Sequence, residues 1–240
     1  MKQLVVCGLA ALFGSAQAAT LFDSGPVVNA QGLSIIGGGV STTANTYGFG
    51  AQTASGNAVA EDFAVGSGGW SVQGLTFYGY QTGSTAFTFT NATWSVVSGD
   101  VNTGTVVASG TTAVTSGGRV GYRVTSTTLT DTQRGIYAAV ADVPDFSLGA
   151  GNYWLRWSLT GTLASGPWQP PTSDAAVGNA AQSTTNGAFV TLLEAGSSLN
   201  VTLPFTITGT VGVVPEPGTM ALMLAGGVAA VGLARRRRAV

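Results

Sequence analysis

Two residue types on which much enzyme chemistry depends are almost missing from this sequence. The chain contains no histidine, and its one cysteine, Cys7, lies within the first ten residues. Serine and cysteine nucleophiles are usually activated by a histidine, so neither kind of catalytic site is expected. Zinc bound by histidine and cysteine is excluded for the same reason, which leaves only oxygen-rich metal sites open.

Charge is scarce as well. Charged residues make up 8% of the chain, against about 25% in typical soluble domains. Between residues 19 and 213 there is no lysine, and nine acids outnumber four arginines, which gives a net charge of −5. An acidic surface without lysine does not attract phosphate backbones, so nucleic acid is excluded as a partner.

Carboxylates are the remaining candidates for catalysis, because two of them suffice for glycoside hydrolysis. Most of them stand beside Gly or Pro in apparent turns, where Asp is a common turn former, and no catalytic pair can be selected. Glu61-Asp62 and the pair Asp142 and Asp145 offer oxygen ligands for calcium, but an Asp-x-Asp-x-Asp spacing is missing and solvated turns are the preferred interpretation. We therefore expect no enzyme activity, no cofactor and no metal site.

The N-terminus has the three parts of a secretory signal peptide. Lys2 supplies a positive charge, residues 4–13 are apolar, and Ala16 and Ala18 flank Gln17 in a small-x-small cleavage site. The apolar run is too short to anchor the chain across a bilayer. Cleavage is predicted after Ala18, so that the rest of the chain is exported.

The C-terminus combines three features in a defined order. Pro215, Glu216 and Pro217 form a segment that can adopt neither a regular helix nor a central strand. Residues 218–234 carry no charge and would span about 25 Å as a helix, near the short limit for a transmembrane helix. The arginines that follow resist translocation and act as a stop-transfer signal. They are Arg235, Arg236, Arg237 and Arg238.

This order, behind a signal peptide, resembles the PEP-CTERM sorting signal, of which Val-Pro-Glu-Pro-Gly-Thr is a typical form. The resemblance implies a PEP-CTERM sorting domain-containing protein that is the substrate of an exosortase, with Pro215, Glu216 and Pro217 as the recognition segment. It implies a precursor anchored in the inner membrane and a product at the cell surface or outside the cell. It also implies a Gram-negative host that secretes exopolysaccharide, which makes the biofilm matrix a candidate environment and exopolysaccharide a candidate partner.

The residues between the two ends show β patterning throughout, and we predict an all-β ectodomain built as a β-sandwich or jelly roll. Turn signals such as Ser98-Gly99-Asp100 and Ser116-Gly117-Gly118 separate the strands, and residues 165–187 are expected to form a long loop. The expected division is a signal peptide at 1–18, the ectodomain at 19–213 and the sorting signal at 214–240. The candidate strands cover residues 59–65, 70–80, 86–97, 104–109, 120–129, 136–143, 153–163, 188–193 and 199–208.

The clearest strand alternates strictly in polarity. Its core face is predicted to hold Tyr153, Leu155, Trp157 and Leu159, with Trp154 and Arg156 on the opposite face. Residues 70–80 and 151–171 also resemble stretches in the ectodomains of PEP-CTERM proteins. That resemblance implies a sandwich-like fold and transfers no activity to this chain.

Two function classes stay open for the ectodomain. The first is a structural or interaction protein of the cell surface or extracellular matrix. The second is a carbohydrate-binding module, in which aromatic side chains stack on sugar rings; the candidates are Trp154, Trp168, Tyr78 and Tyr80. Trp168 stands in the predicted long loop, where it either plugs the sandwich or faces a ligand.

Overall fold

The computed structural model describes residues 18–36, 45–174 and 177–212. Residues 1–17 of the predicted signal peptide, which include Ala16, lie outside these ranges. The predicted sorting signal also lies outside them, with Pro215, Glu216, Pro217, the predicted transmembrane helix and the arginine cluster. Over the residues that are described, no helix is long and apolar enough to cross a membrane.

The described residues form thirteen strands and one 3-10 turn, Thr53–Ser55. The strands are β1 (Ala19–Asp23), β2 (Leu33–Ser34), β3 (Phe49–Gly50), β4 (Ala58–Val65), β5 (Trp70–Gly79), β6 (Phe89–Ser98), β7 (Thr105–Arg123), β8 (Gly135–Leu148), β9 (Gly151–Gly161), β10 (Trp168–Gln169), β11 (Ala181–Ser183), β12 (Val190–Thr191) and β13 (Phe205–Val211).

Eleven of these strands belong to one continuous sheet that curls over a core. Its order is β1-β13-β5-β8-β7-β6-β9-β4-β11-β12, with β2 added in parallel to β7, while β3 and β10 pair with each other. Strand β7 joins the two halves, because it pairs with β6 as far as Ala113 and with β8 from Val114 onward.

Aromatic side chains show that the two halves face each other. The ring centroid of Trp157 on β9 lies 5.7 Å from that of Phe77 on β5 and 5.7 Å from that of Phe205 on β13. Phe63 on β4 also contacts Phe205, at 6.1 Å. The all-β prediction is confirmed, and the two layers are halves of one sheet rather than two separate sheets.

The face assignment for β9 is confirmed as well. Tyr153, Leu155, Trp157 and Leu159 all belong to the main buried cluster between the two halves. Trp154 lies on the opposite face, where it packs on a small second cluster. The period of two in this strand was therefore sufficient to predict which side chains enter the core.

The predicted strand 104–109 and the first part of the predicted strand 120–129 belong to one element, since β7 runs without a break from Thr105 to Arg123. Residues 124–129 lie beyond the end of β7, so the second half of that prediction was wrong. Ser116-Gly117-Gly118 was predicted to be a turn but lies inside β7, where the register to β8 shifts between Ser116 and Arg119. Gly118 has φ +97°, and a Cβ on Gly117 would come within 2.9 Å of the Ala138 Cβ. The glycines therefore form a β-bulge that bends the strand.

The predicted long loop, residues 165–187, contains two short strands. β10 pairs with β3, and β11 joins the main sheet beside β4. Elements of two or three residues show no measurable periodicity, so the sequence gives no sign of them. Their effect is to fix Trp168 in a defined position against the sheet.

Candidate functional site

Glu61 on β4 is a buried carboxyl that neighbours other acids. It is 3% exposed, and its Oε2 accepts a 2.6 Å hydrogen bond from the backbone N–H of Leu203. Burial raises the pKa of Glu61 to about 8, although the Leu203 hydrogen bond opposes this shift and the charge of Asp62 adds to it. Glu61, Asp62 and Asp23 line an open depression of about 480 Å³. Within the part of the chain that the structure describes, no three His, Cys, Asp or Glu residues are grouped so as to hold a metal ion.

Glu194 is a second buried carboxyl, and its contacts are structural. Oε1 accepts the backbone N–H groups of Asn45 and Thr46, both at 2.7 Å, and Oε2 accepts the N–H and the hydroxyl of Ser197, both at 2.6 Å. Burial acts to raise the pKa of Glu194, but the four hydrogen bonds outweigh it and lower the pKa to about 2. The carboxylate thus ties two chain segments together.

Arg123 at the end of β7 holds the same segment from the other side. Its Nε donates to the carbonyl of Tyr47 at 2.7 Å, Nη2 to that of Thr46 at 2.6 Å, and Nη1 to that of Ser34 at 2.7 Å. Burial lowers the pKa of Arg123 to about 10. This buried cation was not singled out from the sequence, because the carbonyls that accept from it lie far away along the chain.

Trp154 and Arg156 on the outer face of β9 are partly covered by other parts of the chain. Trp154 packs against Ala60, Ala181 and Val101. The Arg156 guanidinium lies 5.4 Å from the ring centroid of Phe189 and donates to the carbonyl of Val101, and burial lowers the pKa of Arg156. Trp154 is therefore part of a small core rather than an open stacking surface.

The two tyrosine candidates are buried to different degrees. Tyr80 is 2% exposed, so its ring cannot stack on a sugar as the sequence led us to expect. Tyr78 is half-buried on the outer face of β5, where its hydroxyl lies 3.2 Å from the Thr206 hydroxyl. Neither ring offers a free face beside Trp154, and the four aromatic candidates do not form one platform.

Trp168 is the candidate that the structure places in a cleft. Its backbone exchanges two hydrogen bonds with Tyr80, at 2.9 and 3.0 Å, and its indole N–H donates to the Ser165 hydroxyl at 3.3 Å. Gly166 has φ +92°, and a Cβ there would lie 2.7 Å from Cδ1 of Trp168. Only glycine therefore lets the half-buried indole lie so close to the preceding backbone.

The walls of this cleft come from the 3-10 turn, the end of β9 and the segment before β10. We call it the Trp168 cleft; it has a volume of about 400 Å³, and none of the described residues that line it is charged. Trp168 was identified from the sequence, whereas the opposite wall was not, because that wall comes from a distant turn. The polar residues that line the cleft include Gln52, Ser55, Asn57, Thr160 and Ser165.

A second polar depression lies on the outer face of the sheet, and we call it the outer groove. It has a volume of about 480 Å³ and is lined by the hydroxyls of β6, β7 and β9 together with Arg156. Thr93 and Thr111 bridge their hydroxyls across it at 3.0 Å. The buried Nε of Arg156 has no hydrogen-bond partner among the described residues.

The C-terminal resemblance is supported by comparison with known families. The family model of the PEP-CTERM protein-sorting motif matches residues 213–238, which include Pro215, Glu216, Pro217 and all four arginines. No curated protein and no solved structure gave a match to the chain. The motif indicates an exported protein that is anchored transiently in the membrane and processed by an exosortase. This chain is a PEP-CTERM sorting domain-containing protein.

Proposed function

We propose that the chain is a non-catalytic structural or interaction protein of the cell surface or extracellular matrix, delivered there through its C-terminal signal. The observation that carries this proposal is the sorting motif at residues 213–238. In the proposal, residues 1–18 are removed as a signal peptide, and residues 218–234 hold the precursor in the inner membrane. An exosortase then acts at Pro215, Glu216 and Pro217, and the ectodomain is displayed or released.

The ectodomain has features that suit such a role. Two face-to-face β layers, arranged like a sandwich, bury a large aromatic core without any disulfide among the described residues. The two buried carboxyl groups also serve the fold, since Glu61 and Glu194 both accept backbone hydrogen bonds across the molecule. These contacts support a scaffold or adhesive role in preference to acid–base catalysis.

The test is the intact mass of the protein recovered from the surface and the medium of its host. The wild-type product is expected to lack the predicted membrane span and the arginines. A variant with Pro215→Ala, Glu216→Ala and Pro217→Ala is expected to stay full-length in the inner membrane.

A matched control changes an exposed proline and acid on β8, Pro144→Ala with Asp145→Ala, and should be processed like the wild type. Recovery of wild-type protein with an intact C-terminus would contradict the proposal. The tail would then be a permanent anchor of a membrane protein with an outward-facing domain.

A further inference from the structure

We propose that the Trp168 cleft binds a neutral sugar unit of a glycan chain. The cleft lies within the β domain, so ligand binding there does not depend on how the C-terminus is processed. We base this proposal on the chemistry of the side chains that line the cleft, on the hydrogen bonds that hold them, and on the polar groups that they leave free.

The composition of the cleft fits a neutral sugar better than a charged ligand. The described residues that line it include one aromatic ring together with amides and hydroxyls, and none carries a charge. A pyranose presents an apolar C–H face, which packs on an aromatic ring, and hydroxyls, which pair with amide and hydroxyl groups. Charged residues line the two depressions described above, Glu61 and Asp62 in one and Arg156 in the outer groove. A further depression beside Trp70 is uncharged as well, but its polar side chains are serines only, without the amides that the Trp168 cleft offers.

Hydrogen bonds within the protein hold both walls of the cleft in place. Trp168 is fixed through its backbone bonds to Tyr80 and its indole bond to Ser165. On the opposite wall, Asn57 Nδ2 donates to Gln52 Oε1 at 2.7 Å, and Asn57 Oδ1 accepts the backbone N–H of Thr185 at 3.1 Å. A preformed site loses little conformational entropy on binding, which favours affinity for a small ligand.

Several polar groups in the cleft remain available to a ligand. Among the residues that the structure describes, the Nε2 group of Gln52 and the hydroxyls of Ser55 and Thr160 have no hydrogen-bond partner in the protein. All three residues line the cleft beside Trp168. They can exchange water for sugar hydroxyls, so the ring of Trp168 supplies contact area while these groups fix the orientation.

The dimensions of the cleft also limit what it holds. Its volume of about 400 Å³ lies at the lower end of the range of about 300–1,000 Å³ that is common for small-ligand sites. The cleft is open to solvent, so a sugar seated on Trp168 can be one unit of a longer chain. A terminal or internal unit of a neutral polysaccharide therefore suits the site.

The experiment uses the full chain, purified in a zwitterionic detergent without a sugar head group, on an array of immobilised neutral and acidic glycans. Binding to neutral glycans is expected, and the best-bound oligosaccharide is then titrated against the variants. Trp168→Ala should weaken binding by at least about tenfold, and Gln52→Ala should weaken it with the fold unchanged. Comparing the free monosaccharide with longer oligosaccharides shows whether a chain is required.

Two controls separate loss of the site from loss of the fold. Tyr78→Ala removes a half-buried aromatic ring outside the cleft and should leave binding unchanged. Thermal unfolding will show whether Trp168→Ala still folds. Trp168→Phe keeps an aromatic ring and should retain part of the affinity for the oligosaccharide in either case. The proposal is overturned if the wild type binds no neutral glycan, or if Gln52→Ala and Trp168→Phe both bind like the wild type. It is overturned equally if Thr111→Ala in the outer groove is the variant that abolishes binding.

Discussion

At the scale of single residues, Glu61 should make the folded state less stable as the pH rises above 4.5. Its pKa is about 8 in the folded protein and 4.5 as the unperturbed value, so between these values the folded state keeps a proton that the unfolded chain has released. The stabilisation is complete below pH 4.5 and is lost as pH rises to about 8, by roughly 1.4 kcal/mol per pH unit. Urea unfolding at pH 5 and pH 8 should show this loss in the wild type.

The matched variant is Glu61→Gln, which keeps an acceptor for the Leu203 N–H but cannot ionise. Its free energy of unfolding should be nearly constant between pH 5 and pH 8, so that it exceeds the wild type at the higher pH. An equal decrease with pH in both proteins would mean that another group is responsible.

Glu194 has the opposite pH dependence. Its folded pKa is about 2 against 4.5, so its stabilisation is present above pH 4.5 and is lost as pH falls toward 2. Glu194→Ala removes four hydrogen bonds and leaves the N–H groups of Asn45 and Thr46 without this acceptor, which should cost about 2–4 kcal/mol at pH 7. The exposed Asp145→Ala is the control and should change the unfolding free energy by less than about 0.5 kcal/mol. A similar effect of both substitutions in urea melts at pH 7 would refute the structural role of Glu194.

At the scale of elements, the bulge in β7 depends on backbone conformation. Gly118 and Gly66 both have open space where a Cβ would stand, but only Gly118 has a positive φ, +97°. Gly118→Ala should therefore destabilise the protein by about 1–2 kcal/mol, while Gly66→Ala should be neutral or slightly stabilising. Thermal unfolding of the two variants compares strain directly, and equal melting temperatures would show that the bulge relaxes without cost.

The elements also show how far the sequence can be interpreted by itself. Long alternating strands such as β5 and β9 were predicted, since each contains enough residues to display a period of two. β3 and β10 were missed, because two residues have no period and their pairing comes from distant parts of the chain. The same limit applies to the cleft. Trp168 is recognisable in the sequence as an aromatic residue among prolines, but nothing in the sequence around Gln52 indicates that it lines the cleft opposite Trp168.

At the scale of the whole molecule, the first and the last described strands lie side by side. β1 pairs antiparallel with β13, and Ala19, the first residue after the predicted signal cleavage, lies opposite Gly209. β1 is therefore an edge strand beside the last strand of the chain segment that the structure describes. β13 lies between β1 and β5, so both neighbours hold it in the sheet.

This arrangement brings the folded domain close to the sorting motif. β13 ends at Val211, and the N–H of Gly212 still donates to the Gly69 carbonyl at 3.0 Å. Only Val213 and Val214 separate this bond from Pro215, and two extended residues span about 7 Å. A protease that binds several extended residues before Pro215 must therefore break hydrogen bonds that hold the end of β13 in the sheet.

Processing should consequently be faster when the tether is longer. An insertion of about eight Gly and Ser residues between Gly212 and Val213 adds a flexible reach of roughly 15 Å and should increase the rate at which precursor becomes product in a pulse-chase experiment. The same insertion between Gly149 and Ala150, an exposed turn between β8 and β9, is the control for added length and should leave the rate unchanged. An unchanged or slower rate with the first insertion would contradict this prediction. It would mean that the exosortase reaches the motif without binding any residue that is hydrogen-bonded in the sheet.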